Sequence, residues 1–507
     1  MAVTSYKHGV TWRDVPTSII APVRADVGIP FIVGAAPVQY SLTGKYQVNK
    51  PRVYLSFEAF RGEMGYSDDW FRYPVCMAAY TYFALFNVGP IVVNNVLDPS
   101  RTAHLGTPVV KAAHTFERGA INYISDVMVP ATLKVEGEDA DGDPIEFERD
   151  VDWVGAWKED ENRIYKYSIS AIPGGAISTT QDVDVLLSYS VIAPSRVVKA
   201  DIIGGMDIAT GRNSGLECIE DVFPLHGIVP GYICTPFYSQ DPEVAAVVEA
   251  KSEDINGCFR CINGCDIDSD AVRQPIDVKA WKDRNNYTGE RMAACWPRVG
   301  LQERDIWLSV ELGARMLRTD FDNDNIPVET PSNKPLRMNR TLVGKWDGSS
   351  APEEIVFAKP YGDMLNGQGI MTAINWIGGW KHWGSNMACY PFITDPKDRW
   401  MPARRMTDFV GNSLVLTIFQ KVDKPTNRRL IDTVIDSVNI WLNSLVGTGN
   451  ALGARVEFRH DENPDTELID GHFVLHVYQF FPLPAEWIEF RLELDISYLS
   501  VLFEEAA

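Results

Sequence analysis

The residues that close the chain limit its fold most sharply. From 488 to 498 the sequence IEFRLELDISY places an apolar side chain at every second position. A period of two is typical of a β-strand with one buried and one solvent-exposed face. Because chain ends usually fray, such a strand needs a partner strand in its own sheet or in another subunit. The apolar residues are Ile488, Phe490, Leu492, Leu494, Ile496 and Tyr498.

Most of the remaining chain alternates between short apolar runs and helical patterns. The apolar runs at 27–38, 90–98 and 227–237 are typical of buried strands. Helical patterns occupy the segments 56–66, 241–255 and 301–318. Strands that alternate with helices predict an α/β core.

The type of secondary-structure pattern changes between about 105 and 200. Strand patterns with Asp-Gly turns predominate there, so this segment is predicted to be an inserted β-rich domain. The predicted organisation is a multidomain α+β or α/β chain. Its parts are an N-terminal arm at 1–25, the core at 26–104 and 201–364, the inserted domain at 105–200, an α+β C-terminal domain at 365–484, and a C-terminal strand or arm at 485–507.

The C-terminal domain contains the strongest helical pattern of the chain. The segment 427–445 has one apolar side and one polar side, and Pro425 and Thr426 supply its start signal. Two strand patterns follow it before the terminal segment. This domain is therefore predicted to pair a long helix with a small sheet.

Net charge and apolar runs indicate which partners and which cellular compartment the chain can have. A formal net charge of −21 opposes general binding to nucleic acid phosphates. The first 16 residues contain no uninterrupted apolar region of the kind that a secretory signal needs. The most hydrophobic run, 76–97, is broken by Asn87, Gly89 and Pro90, so it is too short to span a bilayer. We expect a protein that is made in a cytoplasm, remains there at first, and keeps its eight cysteines as free thiols.

The motifs that would carry chemistry are weak. Cys258, Cys261 and Cys265 have the spacing C-x2-C-x3-C, but zinc and iron–sulfur sites need four ligands and no nearby histidine completes the set. Incidental thiols are therefore favoured over a metal site. The chain has no G-x-x-x-x-G-K-[ST] and no G-x-S-x-G motif. No catalytic residue and no cofactor are predicted.

Several sequence blocks resemble the contractile tail sheath proteins of phages, tailocins and contractile injection systems. They include HGVTWRDVPTSI and GIPFIVGAAPV near the start, DIIGGMDIATGRNSGLECIEDVF in the middle, and AKPYGDMLNGQGIMTAINWIGGW further on. Together with the segments between them, these blocks cover most of the chain outside 105–200, in the family's order. The cysteine cluster is not a feature of that family.

The resemblance implies a structural protein. Sheath subunits polymerise helically around an inner tube and contract from a metastable extended state, which drives the tube through a target cell envelope. The implied core is described as subtilisin-like, the inserted domain as variable, and the C-terminal domain as facing the tube. Implied partners are further copies of the chain, the inner tube protein, and baseplate and tail terminator proteins, with no direct contact to nucleic acid or membrane. The implied location is a virion tail or a released contractile particle.

The resemblance also implies roles for particular residues. Arms at both ends of a sheath subunit add strands to neighbouring subunits. Here the arms would use Val10, Trp12 and Val15, together with the alternating apolar residues of 488–498. The polar side of helix 427–445 would contact the tube, although an ordinary solvated face explains it equally well. Its charged residues are Arg428, Arg429, Asp432 and Asp436.

Two other functions stay open at this point. One is a metal-dependent or hydrolytic enzyme built on the α/β core. The other is a binding module whose recognition surface is the inserted domain at 105–200.

Overall fold

The computed structural model describes residues 23–138, 143–159, 165–345 and 352–502, with side chains as far as residue 499. The predicted arm residues Val10, Trp12 and Val15 lie outside this range. Among the described residues, no helix has both the length and the apolar character needed to cross a bilayer.

An eight-stranded sheet forms the centre of the molecule. Its six inner strands are parallel, and an antiparallel strand closes each edge. Nearly every residue of the inner strands is buried, as expected when helices cover both faces of a parallel sheet. In spatial order the strands are Arg52–Tyr54, Ile91–Asn95, Pro30–Gly34, Tyr232–Cys234, Ile262–Asp266, Met292–Cys295, Ile370–Trp376 and Gly379–Trp383.

Helices cover the central sheet, and their starts follow local sequence signals. The Ser56 hydroxyl accepts a hydrogen bond from the Ala59 N–H, and the Asp241 carboxylate accepts one from the Glu243 N–H. The helices are Phe57–Met64, Pro74–Tyr80 with a π-helical extension Thr81–Leu85, Lys199–Ile203, Val222–His226, Pro242–Glu253, Val278–Arg284, Leu308–Asp322 and Lys359–Asn366.

The predicted helix at 301–318 is only partly correct. The structure has a strand at Arg304–Ile306, and the helix begins at Leu308. Gln302 adopts a positive φ of 56° in a tight turn, which lets the strand pair with the one before it. A small antiparallel sheet results from strands Arg298–Leu301, Arg304–Ile306, Arg340–Val343 and Glu353–Glu354. A separate hairpin joins Gly205–Asp207 to Arg212–Ser214.

The predicted β-rich insertion forms two antiparallel sheets around its own hydrophobic core. The core includes Phe116, Val135, Trp153, Ile169 and Leu187. The first sheet contains Val109–Phe116, Val183–Tyr189, Lys134–Glu138 and Pro144–Phe147, and the second contains Ala120–Ile121, Tyr165–Ala171 and Trp153–Glu159.

Two groups of contacts fix the insertion on the central domain. At its base, Leu105 forms an antiparallel bridge with Ile192, so the entering and leaving chains lie side by side. Further out, the Tyr40 ring stacks on Tyr165 with 4.9 Å between ring centroids. Nearby, the Arg61 guanidinium pairs with the Glu159 carboxylate at 2.6 Å.

A second hydrophobic core belongs to the C-terminal module. Its main elements are the helices Met401–Ile418 and Arg428–Gly447, a short helix Asp465–Ile469, and the antiparallel strands Gly453–Phe458 and Leu475–Phe480. Strands 370–376 and 379–383 belong to the central sheet, so this module begins near 401 rather than at the predicted 365. The long helix was predicted at 427–445, and its cap is Asn427, whose side chain accepts a hydrogen bond from the Leu430 N–H.

Buried ion pairs join the C-terminal module to the central domain. Arg405 on helix Met401–Ile418 pairs with Asp320, and their side chains are only 2% and 3% exposed. On the same helix, Asp408 accepts a hydrogen bond from Arg291 at 2.7 Å. Buried pairs of this kind contribute little net stability but are costly to break singly, so they fix the module in one position.

The Arg405–Asp320 pair allows a direct test. Asp320→Asn leaves the Arg405 charge buried without its full counter-charge, and we expect the free energy of unfolding to fall by roughly 3 kcal/mol. Asp432→Asn, which removes the exposed partner of Arg428 3.7 Å away, is the matched control and should change it by less than about 1 kcal/mol. Urea denaturation measures both. Equal effects would show that the buried pair does not hold the module.

Glu311 gives the stability a pH dependence. Its side chain is fully buried, its Oε1 atom has no hydrogen-bond partner, and burial raises its pKa to about 8. The folded state therefore keeps a proton that the unfolded state loses near the ordinary pKa of 4.5. Glu311 consequently lowers the free energy of unfolding progressively as pH rises from about 4.5 to 8.

Glu311→Gln should remove this dependence. We expect the variant to be more stable than the parent chain by about 1–3 kcal/mol at pH 8 and by less at pH 5. Glu303→Gln, at an exposed position on the preceding turn, is the control. Denaturation midpoints at the two pH values check this. A stability difference that does not change with pH would contradict it.

Candidate assembly surfaces

Among the described residues, no strand pairs with the alternating terminal segment. Residues 481–495 have no regular secondary structure, and Ile496–Leu502 forms a 3-10 helix. The strand predicted from Ile488 onward is therefore absent from the isolated chain. The physical reason is that a strand requires a second strand for its backbone hydrogen bonds, and none of the strands in the described ranges pairs with this segment.

The side chains of this segment are exposed to an unusual degree. The six alternating apolar side chains of 488–498 are between 71% and 96% exposed. Contiguous exposed apolar surface of this kind marks an interaction site. The sequence pattern and the exposure together make segment 488–498 a candidate assembly surface.

The segment leaves the body of the molecule at a defined point. Phe481 is buried in the C-terminal core. Five residues later the Glu486 carboxylate accepts a hydrogen bond from Arg399 at 2.8 Å and one from Asn386 at 3.4 Å. Beyond this anchor the chain is exposed, so Glu486 marks the base of the terminal segment.

The small C-terminal sheet offers one blocked edge and one open edge. The Asn439 side chain donates to the Val456 carbonyl and accepts from the Val456 N–H, which occupies the outer edge of strand Gly453–Phe458. Within the described part of the chain, no strand pairs with the outer edge of Leu475–Phe480. An exposed strand edge is a template for an incoming strand.

The predicted tube-facing residues lie together on one side of helix Arg428–Gly447. Arg428, Arg429, Asp432 and Asp436 are all exposed, whereas Val434, Val438 and Trp441 face the C-terminal core. The Arg428 side chain is 94% exposed. The structure therefore presents this charged face outward on the C-terminal module.

The three clustered cysteines are not arranged as ligands. Cys258 is exposed, whereas Cys261 and Cys265 are buried at and within the central strand Ile262–Asp266. Burial raises the pKa of the Cys261 thiol to about 12 and that of the Cys265 thiol well above its ordinary value, which disfavours the thiolate form that binds metals. Across the described residues, no group of three or more His, Cys, Asp or Glu side chains converges on a metal-sized site.

A cluster of serines around Asp266 resembles a catalytic arrangement but is closed to substrate. Ser309 donates from its hydroxyl and its N–H to the Asp266 carboxylate, and the Ser239 hydroxyl donates at 3.3 Å. Burial raises the pKa of Asp266 to about 6. All three side chains are at most 2% exposed, so the cluster links the central sheet to helix Leu308–Asp322. Sequence reasoning missed it because no motif surrounds these residues.

Comparisons with known proteins agree with the fold. No family model matches the chain. The tail sheath protein of Burkholderia phage BcepMu is 26% identical over 518 residues, an alignment that covers 98% of each chain. A chain in the contracted sheath complex of the PVC extracellular contractile injection system matches with a TM-score of 0.56 and 12% identity, over 98% of this chain and all of that one.

A second structural match is similar in strength. A chain of the contracted helical sheath of the anti-feeding prophage has a TM-score of 0.55 and 13% identity, and the match covers 98% of this chain and all of that one. The chain is thus similar over its whole length to a tail sheath protein in sequence, and it shares its fold with chains of two contracted sheaths.

Proposed function

We propose that this chain is the repeating structural subunit of a contractile tail sheath. One observation supports this most strongly: the alternating apolar segment 488–498 is exposed, and it follows strand Leu475–Phe480, whose outer edge pairs with no other strand of the described residues. The segment of one copy would add to the sheet of the next. Backbone hydrogen bonds would supply the attachment, and alternate side chains would set the register.

The exposed segment can supply substantial binding energy. Full burial of an apolar side chain contributes about 1.5–3 kcal/mol. Six such side chains contribute on the order of 10 kcal/mol before the entropy of ordering the segment is subtracted. That is sufficient to keep neighbouring copies attached while their globular bodies change position.

Attachment of each copy to the next produces a helical polymer. A head-to-tail contact whose rotation does not close generates an open helix. The free-energy difference between two packings of many copies would drive contraction from the extended state and push an inner tube through a target cell envelope. A nucleotide is not required, which is consistent with the lack of a P-loop motif in the sequence.

The proposed partners are the inner tube, the baseplate and the terminator protein. The tube would contact the exposed charged face of Arg428, Arg429, Asp432 and Asp436, and Val10, Trp12 and Val15 would form a second exchanging arm. We propose assembly in the bacterial cytoplasm into a virion tail or a released particle. A structural role is proposed instead of catalysis because the Asp266 cluster is inaccessible.

Truncation tests the terminal segment. A chain that ends after Pro484 should fold but remain monomeric, because it lacks the added strand. A chain that ends after Leu499 retains the alternating residues and should form tubes. Negative-stain microscopy of both proteins distinguishes the outcomes, and circular dichroism confirms folding. Normal tubes from the shorter chain would rule out the proposed linkage.

The charged helix face has a separate test. Arg428→Glu together with Arg429→Glu should leave sheath formation by the chain alone intact but reduce co-assembly with the inner tube protein at least tenfold. Both arginine side chains are exposed, so they would lie directly opposite the acidic groups of a bound tube. Reversal of their charge would then replace attraction by repulsion. Co-sedimentation measures the amount of tube that is bound. Lys45→Glu, on an exposed loop, is the control, and an equal loss from it would contradict the assignment.

A further inference from the structure

A short irregular segment covers one outer edge of the central sheet. Residues 332–337, which we call the strap, run alongside the edge strand Gly379–Trp383 and bridge to it at Pro335 and Lys381. Three backbone hydrogen bonds join the strap to this strand, so it occupies the edge at which a further strand would otherwise pair. The donor and acceptor pairs are Asn333 N–H to His382 O at 2.7 Å, His382 N–H to Lys334 O at 3.0 Å, and Leu336 N–H to Trp380 O at 3.1 Å.

The strap is held more weakly than a strand of the sheet. On its inner side, strand Gly379–Trp383 pairs with Ile370–Trp376 at five successive positions. Pro335 of the strap has no N–H group and cannot add to the three bonds on the outer side. The exposed Asn333 side chain accepts one further hydrogen bond, from the Lys381 ammonium group at 2.9 Å. The strap can therefore separate from this edge at a lower cost than the neighbouring strand can.

The inner end of the strap lies against a buried carboxyl group. The Leu336 N–H points to the edge strand, and the next N–H, that of Arg337, donates instead to Glu311 Oε2 at 3.4 Å. Glu311 lies on helix Leu308–Asp322, its side chain is fully buried, and its Oε1 atom has no hydrogen-bond partner. A neutral carboxylic acid tolerates such a site, whereas a carboxylate with one long hydrogen bond is costly there.

Glu311 couples the position of the strap to a proton. Burial raises the pKa of Glu311 to about 8, although the nearby charges of Arg337 and Arg315 favour the ionised form. When the strap lifts, water reaches the carboxyl group and its pKa returns towards the ordinary value of 4.5. Between these two values the open form has lost a proton that the closed form keeps, so opening becomes about tenfold more favourable per pH unit. Above about pH 8 both forms are ionised and the dependence ends.

Two other titratable groups near the strap keep their charge state over this range. Burial lowers the pKa of His382 to about 4, so its ring stays neutral as the pH rises above that value. Lys334 pairs with Glu329, and that hydrogen bond lowers the pKa of Glu329 below its ordinary 4.5. Neither His382 nor Glu329 can therefore produce a dependence that extends to about pH 8.

The other neighbours of helix Leu308–Asp322 cannot admit water to Glu311 as readily. They include three strands of the central sheet, each bonded to a strand on both sides, and one helical turn. Displacement of any of these would break a ladder of the sheet or a helix, whereas the strap has three backbone hydrogen bonds to release. The strands are Tyr232–Cys234, Ile262–Asp266 and Met292–Cys295, and the turn is Thr81–Leu85.

We propose that the strap is a proton-dependent cover of this sheet edge, closed while Glu311 is protonated and open when the proton is lost. In the open form, strand Gly379–Trp383 presents an unpaired edge, which is a template for another strand. The inference concerns a single chain and goes beyond the proposed function. It stands or fails without reference to tube formation.

Hydrogen exchange of the full-length, unassembled chain tests the cover. Mass spectrometry follows peptides that contain residues 333–337 and 379–384. After correction for the intrinsic rate, their exchange should rise about fiftyfold between pH 6 and pH 8 and then level off. Glu311→Gln keeps the size of the side chain without its charge and should remove this rise. Glu303→Gln, at an exposed position on the preceding turn, is the matched control and should keep it.

Any of three results would overturn the proposal. The first is equal protection of these peptides at both pH values in the parent chain. The second is an undiminished rise of exchange in Glu311→Gln. The third is a rise of the same size in peptides of the central strands Ile262–Asp266 and Met292–Cys295, which would assign the proton to unfolding of the whole domain instead of the strap.

A disulfide across the strap provides an independent test. Pro335 and Lys381 face each other, and the backbone hydrogen bonds flank this pair instead of joining it. Their Cα atoms are then about 4.5 Å apart, a separation that a disulfide spans. The test chain carries Pro335→Cys and Lys381→Cys, together with Cys258→Ser because Cys258 is exposed.

The oxidised form of this chain should exchange slowly at pH 6 and at pH 8 alike, because the strap is then fixed to the edge strand. The reduced form of the same chain is the control and should regain the rise. A rise that persists in the oxidised form would show that the strap does not control the access of water to Glu311.

Discussion

A β-strand edge must satisfy its backbone N–H and C=O groups, and the architecture of this chain follows from where those groups are satisfied. The central sheet satisfies most of them by pairing eight strands with one another, so that only its two edge strands have an outer edge. The C-terminal sheet has two strands, and one edge is blocked by the Asn439 side chain. Among the described residues, the other edge of this sheet lacks a partner strand, and so does the exposed segment 488–498. Under the proposed function, a second copy would supply the missing partner for each.

Attachment through the C-terminal sheet requires a rigid connection between the C-terminal module and the central domain. A strand held by a neighbour transmits force only if its sheet does not move freely on the central domain. The buried pairs of Arg405 with Asp320 and of Asp408 with Arg291 supply that connection. They lie on one helix, Met401–Ile418, which contributes to the C-terminal core and faces the central domain. The C-terminal module therefore moves with the domain on which it sits.

The sequence predicts the elements whose patterns are purely local. Continuous apolar runs identified the strands near Phe31, Val92 and Ile233, and the 3.6-residue period identified the long helix within a few residues. The strand at 304–306 was missed because its pairing depends on a turn at Gln302. The boundary at 365 was placed too early because an antiparallel edge strand of the central sheet has the same pattern as a strand of a new domain.

For the assembly surfaces, the sequence predicts less than it does for the fold. The period of two at 488–498 predicts a strand, whereas the structure shows no strand at these residues and leaves their apolar side chains exposed, so strand pairing with a second copy stays a prediction. Burial of Arg405, Asp320 and Glu311 could not be foreseen, because composition does not distinguish a buried charge from a solvated one. The arm residues near Trp12 and the tube-facing role of Arg428 stay predictions of the family resemblance.

The base of the inserted domain has a consequence for how such chains diversify. Leu105 and Ile192 are bridged as in a pair of adjacent strands, about 5 Å apart. Any folded unit whose two ends lie that close can occupy the same position without disturbing the strand order of the central sheet. Two further contacts orient the inserted domain on the central domain. They are the stacking of Tyr40 on Tyr165 and the ion pair of Arg61 with Glu159. The inserted domain can therefore be exchanged while the central sheet and the C-terminal module stay unchanged.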